Sequence, residues 1–452
     1  MFTLIKNPTI INEAKLVNAD VLLKDDIIVK IAKDISEIPN NCKIIDASGL
    51  YLLPGIIDTH VHFREPGLTH KADIFTESRA AAAGGVTSFI DMPNTVPPTT
   101  TNALLEEKFK IAAEKSLINY SFYLGATEEN IKEIINIDII SCAGIKMFLG
   151  SSTGNLAVKN IDKIEEIFQK SPLMISLHCE DDFIIQKNLE QIKKEKTIIN
   201  IEDHEKIRSD IACLNSTKLA MYLAEKYKTK INILHISTKK EMEYFEEFAD
   251  PRYFSTEICV NYLWKDFYNN KNFYKNKIKC NPSIKNNSDR EALIDNIKWY
   301  YFLFDTIIST DHAPHTSEEK EKDYLIAPSG IPSIQHSFQM ILETLYNEND
   351  CYYDDSDLCL IVQMMCHNPA KIFNIEKRGF IRENYFADLV LIDLKQKTKV
   401  LKENILYKCC WSPLEGYIFN SKIIITFVNG KIVYQNEKII ENKSAQKLKF
   451  LR

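Results

Sequence analysis

The chain has 452 residues, a net charge of −6, and a composition of 45% hydrophobic and 26% charged residues. These values are typical of a soluble globular protein with a full core, and they argue against nucleic acid or an anionic membrane surface as a partner. The 11 cysteines form no Cys-x-x-Cys pair, which argues against a zinc finger or a disulfide framework. Because no apolar run approaches the ~20 residues of a membrane helix and no signal-peptide pattern is present, we predict a cytoplasmic protein.

Both ends of the chain carry short apolar runs separated by turns, a pattern that predicts β-strands. Neither end has enough strands to bury a core alone, so we predict one small β-sandwich domain formed from residues 1–53 and 381–452. We expect residues after about Glu437 to fray. The runs lie at residues 20–23, 27–31, 387–393, 423–428 and 431–434, the last two joined by Asn429-Gly430, which is typical of a type I′ hairpin turn.

Between these ends, apolar extended runs alternate with helical patterns such as residues 71–83 and 211–226. Eight such units predict an α/β fold, a (β/α)8 TIM barrel over residues 54–380, with its active site at the carboxyl ends of the strands. The charged stretch 317–323 is predicted to be a solvated loop, with a mobile lid as the alternative. The eight runs lie at residues 56–60, 86–91, 120–124, 144–149, 173–178, 231–235, 253–258 and 306–311.

Histidines lie at the ends of several of these runs. His60 and His62 are two residues apart on an extended segment, so their side chains point to the same side and can share a metal ion. Arg64 continues the same face. His178 and His235 end the fifth and sixth runs; a lone histidine there is more often a core or rim residue, but two at corresponding strand ends predict the ligands of a second ion.

Two further residues have both a structural and a functional interpretation. Lys146 lies within an apolar strand, where burial of a cation without a partner is costly. It either extends its amine to solvent or pairs with a carboxylate, or it is carboxylated by CO2 and bridges two metal ions. Its place among histidine-tipped strands favours carboxylation. Asp311 ends the eighth run and could cap a helix. Given the other ligands, we assign Asp311 to metal contact and proton transfer.

Six ligands of this kind suit two Zn²⁺ ions, with Mn²⁺ or Co²⁺ as substitutes. Two such ions ~3.5–4 Å apart can share one hydroxide, which is a nucleophile at neutral pH. The metals, Asp311, the carboxylated lysine and the hydroxide sum to a charge of about +1, to which Arg64 adds. The pocket is therefore predicted to prefer anionic substrates. The predicted ligands are His60, His62, Lys146, His178, His235 and Asp311.

The motifs, taken together and in this order, resemble those of dihydroorotases in the cyclic amidase group of the amidohydrolase superfamily. The resemblance runs from about residue 20 to residue 434. It implies reversible cyclisation of N-carbamoyl-L-aspartate to L-dihydroorotate and water, a step of pyrimidine (UMP) synthesis, with Asp311 as the general acid and base. The motifs are residues 60–67, 82–87, 91–95, 146–148 and 311–315.

The resemblance also implies a set of substrate contacts. Arg64 and Asn94 would bind the substrate carboxylate, and Arg64 is the discriminating residue because allantoinases and hydantoinases generally lack it. Asn94 and Asn281 lie beside prolines and could instead be plain turn residues. Asn261-Tyr262 replaces a His-His pair of many relatives, which affects the pocket rim but no metal ligand. The remaining implied contacts are Asn281, His315, and the backbone at Ser329 and Gly330.

Two other functions stay open at this point. The first is another cyclic amidase, an allantoinase or a dihydropyrimidinase. The second is a catalytically inactive relative that serves as a scaffold for aspartate transcarbamoylase, although such proteins lose ligands and all six are present here. An active enzyme could also associate with that partner, and homodimers are common in the family.

Overall fold

The computed structural model describes residues 1–150, 156–300, 305–345 and 354–452. Its strands are β1 Phe2–Lys6, β2 Thr9–Asn12, β3 Lys15–Asn18, β4 Asp20–Lys24, β5 Ile27–Ala32, β6 Lys43–Asp46, β7 Tyr51–Pro54, β8 Ile56–Val61, β9 Val86–Asp91, β10 Asn119–Gly125, β11 Gly144–Leu149, β12 Ile175–Cys179, β13 Ile231–Ile233, β14 Phe254–Cys259, β15 Thr306–Ser309, β16 Leu389–Asp393, β17 Thr398–Lys399, β18 Ile418–Phe419, β19 Lys422–Val428, β20 Lys431–Gln435 and β21 Lys438–Ile439.

The helices lie mainly between the strands of the central part of the chain. They are α1 Ile74–Ala83, α2 Asn102–Lys115, α3 Ile131–Ile135, α4 Ile161–Lys170, α5 Asp182–Glu195, α6 His204–Ile207, α7 Asp210–Tyr227, α8 Lys239–Phe248, α9 Lys265–Asn269, α10 Lys271–Tyr274, α11 Asn287–Asp295, α12 Ser317–Lys320, α13 Ser337–Leu345, α14 Asp355–Val362 and α15 Asn368–Ile372. Within the described ranges, no helix is both long and apolar enough to cross a lipid bilayer.

Strands β8 to β15 form a parallel sheet in which each strand pairs with its neighbour in sequence, and we number them strands one to eight of the barrel. A parallel bridge between Val61 and His312 brings the first and last strands together. The predicted TIM barrel is therefore confirmed. Its strands are almost entirely buried because helices cover the outside and side chains fill the inside, which explains why they are continuous apolar runs in the sequence.

The strands at the two ends of the chain form two further sheets. A four-stranded sheet has the order β5-β4-β1-β6, and a seven-stranded sheet has the order β21-β20-β19-β16-β7-β2-β3, so strands from both ends share the second sheet. A separate core joins them, with Ile5, Leu52 and Phe427 among its members. Asn429 and Gly430 have φ of 48° and 73°, as a type I′ turn requires. The domain boundaries given above stay a prediction.

The segment at the C-terminus departs from the expectation that residues after Glu437 fray. Leu448 and Phe450 are 0% and 2% exposed, and they pack against the amino ends of the barrel strands. Leu448 N donates to Tyr120 O at 2.9 Å, and Phe450 N donates to Ile140 O at 2.9 Å. The expectation was wrong because polar and basic residues flank these two apolar side chains and hide the signal. We call residues 446–452 the C-terminal strap.

The charged stretch 317–323 also differs from the predicted solvated loop. It begins with α12, which Thr316 caps by accepting from Glu319 N. Lys320 is 2% exposed, and its Nζ donates to the carbonyl oxygens of Lys279, Pro328 and Gly330 at 2.9–3.1 Å. The stretch is therefore anchored to the segment around Gly330 by a buried lysine, a role that charge composition cannot indicate.

Candidate metal centre and active site

The carboxyl ends of the barrel strands surround one polar pocket. All but one of the residues predicted for the site line it, and the exception, His315, lies directly behind Arg64. The pocket is lined by His60, His62, Arg64, Asn94, Lys146, Phe148, His178, Arg208, His235, Asn281, Asp311, Ala313, Ser329 and Gly330.

Three of the predicted ligands converge at strands one and eight. Asp311 Oδ1 lies 3.0 Å from His62 Nε2 and 3.3 Å from His60 Nε2. The ligand atoms of the three residues lie within 4.8 Å of one another, close enough for one metal ion. Burial alone would raise the pKa of Asp311, but His60 and His62 outweigh it and lower that pKa. The carboxylate is therefore ionised and available as a ligand.

The other two histidines form a second group at strands five and six. His178 Nδ1 and His235 Nε2 face each other at 2.9 Å. Burial lowers the pKa of both rings, so both are neutral and can offer a lone pair. On the outer side of His178, Nε2 lies 3.0 Å from Glu180 Oε2, a close contact without the alignment of a hydrogen bond.

Lys146 lies between these groups on β11. It is 1% exposed, and its Nζ has no hydrogen-bond partner in the described part of the chain, where the nearest recorded contact is the Phe148 ring with its centroid at 4.5 Å. Burial lowers the pKa of the Lys146 amine to about 7. No carboxylate of a described residue lies within ion-pair distance of Lys146 Nζ, so the structure does not support the alternative that Lys146 pairs with a carboxylate. With a pKa of about 7, a large fraction of this unpartnered amine is uncharged at neutral pH, and the uncharged form is the one that can react with CO2.

The first pair of histidines is held from behind by two acceptors. Glu257 Oε1 lies 2.6 Å from His60 Nδ1, and Asn94 Oδ1 lies 2.7 Å from His62 Nδ1. Each contact places the ring proton on Nδ1, which leaves Nε2 free to bind a metal. Since Asn94 uses its carbonyl oxygen here, its amide N–H groups are the donors that remain for a substrate carboxylate.

Asp58 fixes the relative position of strands one and eight. Its Oδ2 accepts from Thr310 Oγ1 at 2.6 Å, and its Oδ1 accepts from His60 N at 3.1 Å. Directly after Thr310, Asp311 has a left-handed φ of 48°, and His235, in the segment that follows β13, has a φ of 42°. Such backbone costs of order 1–3 kcal/mol per residue and is retained where a side chain must be aimed precisely into a site.

Arg64 closes one end of the pocket. It has a φ of 66° and is 4% exposed, and its Nε donates to Pro314 O at 3.2 Å. Its Nη2 lies 3.2 Å from His315 Nε2, and Lys71 Nζ lies 3.0 Å from His315 Nδ1. Burial lowers the pKa of Arg64 to about 10, so it stays cationic at neutral pH. This end of the pocket is therefore built for an anion.

The loops after strands seven and eight form the facing wall. Ser329 Oγ donates to Asn281 Oδ1 at 3.0 Å. Gly330 has a φ of 148°, and a Cβ there would lie 2.3 Å from Ala313 O, so only glycine fits. The unusual pair Asn261-Tyr262 supports this wall from behind: Asn261 Nδ2 donates to Thr310 O at 3.1 Å, and Tyr262 Oη donates to Pro282 O at 2.8 Å.

Sequence reasoning missed three charged residues at the site. Arg208 lines the pocket from the loop after strand five and pairs with Glu180, which is 0% exposed. Glu257 lies inside β14, a strand for which no ligand was predicted. A charged residue inside an apolar strand was the only available signal for Glu257, the same signal that singled out Lys146. Arg208 lies in an irregular segment and carries no such signal.

The donor set suits divalent cations. Imidazole nitrogens and a carboxylate converge, as such metals prefer, and an unpartnered buried amine lies between the two groups. Glu257 and Asp58 place two further buried carboxyl groups against His60. Bound cations would compensate this charge.

Comparison with known proteins agrees with this geometry. The model of the amidohydrolase family matches residues 51–433. The chain is 33% identical to the dihydroorotase of Methanosphaera stadtmanae over 95% of this chain and 96% of that protein. It is 32% identical to the dihydroorotase of Caldicellulosiruptor saccharolyticus over 95% and 98% of the two chains. Among solved structures, the L-hydantoinase (dihydropyrimidinase) from Arthrobacter aurescens superimposes with a TM-score of 0.91 at 26% identity, covering 99% and 100% of the chains. The chain belongs to the amidohydrolase family.

Proposed function

We propose that the protein is a dihydroorotase, which interconverts N-carbamoyl-L-aspartate with L-dihydroorotate and water. The observation that carries the proposal is Arg64, a buried guanidinium at one end of the polar pocket, two residues from His62. Dihydroorotate carries a carboxylate where hydantoins and allantoin have none, and an arginine can bind it through two hydrogen bonds. The similarity to curated dihydroorotases over nearly the whole chain supports the same substrate.

The cofactor of this proposal is a pair of Zn²⁺ ions, for which Mn²⁺ or Co²⁺ could substitute. His60, His62 and Asp311 would hold one ion, His178 and His235 the other, and carboxylated Lys146 would bridge them. When bound, such ions lower the pKa of water and polarise an amide carbonyl. The convergence of the ligand atoms and the unpartnered Lys146 Nζ support this assignment.

The chain's own residues then bind the substrate and move one proton. Arg64 and the Asn94 amide group hold the carboxylate, and the backbone at Ser329 and Gly330 contacts the ring amide. Asn281 and His315 are the remaining proposed substrate contacts. In hydrolysis, an Asp311 carboxylate oxygen accepts a proton from the attacking water and gives it to the departing ring nitrogen. In cyclisation, Asp311 removes the proton from the ureido nitrogen instead.

Carboxylation of Lys146 is a balanced addition. The neutral amine attacks CO2, an N–C bond forms as one C=O π bond opens, and one proton passes from nitrogen to water, so that a neutral amine becomes an anionic ligand. The burial that favours the neutral amine also favours this reaction. Two cations nearby would then stabilise the new negative charge.

The assay that tests the function compares dihydroorotate, allantoin and dihydrouracil with the same metal-loaded protein. We expect turnover of dihydroorotate alone. Ring opening forms a second ionised carboxylate and releases a proton near neutral pH, so the equilibrium should shift toward the open form as the pH rises from about 6 to about 9. A preference for either of the other substrates would replace this proposal with another cyclic amidase.

Metal analysis separates this enzyme from an inactive scaffold. We expect about two metal equivalents per chain, and a metal-poor protein that added Zn²⁺ does not restore would favour the scaffold. The family resemblance also suggests a homodimer and leaves association with aspartate transcarbamoylase open. Light scattering of the protein alone and mixed with that enzyme tests both suggestions.

A further inference from the structure

We propose that Glu257 is a positioning residue that braces ligands of both cation positions at once. The proposal rests on the metal centre of the proposed function. Glu257 lies on β14, the seventh barrel strand, which supplies no predicted ligand. Its side chain is 0% exposed and points toward the ligands of strands one and six.

The contacts of Glu257 reach both groups of ligands. Its Oε1 accepts from His60 Nδ1 at 2.6 Å and from His235 N at 3.3 Å, and its Oε2 accepts from Thr59 Oγ1 at 3.3 Å. His60 belongs to the first cation position and His235 to the second. One carboxylate therefore fixes the ring orientation of one ligand and the left-handed backbone of another.

The charge environment of Glu257 indicates a role beyond packing. Its recorded ion-pair partner among the described residues is the His60 ring, and no described lysine or arginine lies within ion-pair distance. A buried carboxylate without a permanent counter-charge is costly, and nearby bound cations would offset that cost. Its negative charge also makes the His60 ring a stronger donor to a metal.

Glu180 offers a contrast within the same site. It is equally buried, but it contacts His178, a ligand of the second position, and it pairs with Arg208. Its influence should therefore be confined to one cation position. Loss of the Glu257 charge should weaken both positions, whereas loss of the Glu180 charge should weaken one.

The experiment titrates metal-free protein with Co²⁺ in the absence of substrate. Stepwise affinities come from calorimetry, and the absorption of bound Co²⁺ reports the geometry of each position. For Glu257→Gln we expect both dissociation constants to rise about 10–100-fold, the usual effect of losing an outer partner of a metal ligand, with altered absorption of both ions. For Glu180→Gln we expect one constant to change and the other to stay at the wild-type value.

A third variant controls for loss of a buried carboxylate as such. Glu241 is 2% exposed and bonds Thr217 and Thr238, neither of which lines the pocket. Glu241→Gln should leave both Co²⁺ affinities unchanged. If Glu257→Gln does not fold, Glu257→Asp is tested instead, because it keeps the charge but shortens the side chain by one methylene.

Unchanged affinities in the folded Glu257 variant, or weakening of one position only, would overturn the proposal. Because no substrate is present, the titration does not depend on which cyclic amide the enzyme opens. An error in the proposed substrate would appear only in the turnover of the wild-type protein.

Discussion

Arg64 is the residue that we propose distinguishes this enzyme from others that share its fold. The protein resembles dihydroorotases in sequence and superimposes on a hydantoinase in structure, so the barrel itself cannot decide between their substrates. We propose that Arg64 decides it, since its guanidinium is held by Pro314 O and lies beside His315 at the end of the pocket, where it could bind a substrate carboxylate.

We expect Arg64→Gln to lower kcat/KM for dihydroorotate by about 10²–10³-fold, since removing one partner of a buried charge pair costs about 2–5 kcal/mol. The metal content should not change, because Arg64 is not a ligand. Arg64→Lys is the matched control, because it keeps the charge but cannot form the two parallel hydrogen bonds to the carboxylate. It should lose less activity than Arg64→Gln. Steady-state kinetics and metal analysis of the three proteins check this prediction. An unchanged kcat/KM in Arg64→Gln would show that Arg64 does not bind the substrate.

Lys146 gives a second test at the residue scale. We expect Lys146→Ala to bind about one metal equivalent fewer, because the bridge between the two positions is lost. In the wild-type protein, ¹³C-labelled bicarbonate supplied during metal loading should give a carbamate signal in the NMR spectrum, and in Lys146→Ala it should not. Two tightly bound ions in the variant would contradict the bridging role.

At this scale, the sequence predicted the residues at the ends of apolar runs, and it missed residues whose role depends on contacts across the barrel. His60, His178, His235 and Asp311 stand at the ends of apolar runs, and the structure places all four around one pocket. Glu257 carries only the signal of a charged residue within an apolar run, and the role we propose for it depends on a contact with His60, 197 residues away. Such pairings across the barrel are set by closure of the sheet and cannot be read from local pattern.

At the scale of elements, the barrel strands were predicted within a few residues, because buried parallel strands are apolar along their whole length. Two segments were predicted wrongly because their overall composition is charged and polar. The region around Lys320 and the C-terminal strap are rich in charged residues, yet each buries one or two side chains that anchor it. Composition averages over a segment, whereas anchoring depends on single residues.

The C-terminal strap yields a stability prediction. Leu448 and Phe450 belong to the cluster that fills the amino end of the barrel, so Phe450→Ala should destabilise the protein by about 3–5 kcal/mol and Leu448→Ala by about 2–5 kcal/mol. Leu451→Ala is the control, since Leu451 is 63% exposed and should tolerate the change. Thermal unfolding monitored by circular dichroism distinguishes them, and equal melting temperatures for all three would show that the strap contributes no stability.

Across the whole molecule, the two ends of the barrel have different tasks. The carboxyl ends carry the pocket, and the amino ends are closed by the strap and by apolar side chains such as Phe373. Between the barrel and the terminal sheets lies a buried polar network. Asp388 pairs with Arg378 and accepts from Asn429 N at 2.7 Å and from Asn119 Nδ2 at 3.1 Å. Asn119 lies on barrel strand β10 and Asn429 in the β19–β20 turn, so the network ties the two parts together.

We expect this network to hold the barrel and the terminal sheets in one cooperative unit. Arg378 and Asp388 are each 3% exposed, so Asp388→Leu leaves a buried guanidinium without its counter-charge and should cost about 3–5 kcal/mol. Arg378→Met combined with Asp388→Leu removes both charges and should cost less than the single change, because no charge stays uncompensated. Urea unfolding of the wild type, both single variants and the double variant gives the coupling free energy, with activity as the control that the distant pocket is intact. Additive losses would mean that the pair does not act as a unit, and the joint between the barrel and the sheets would then depend on apolar packing alone.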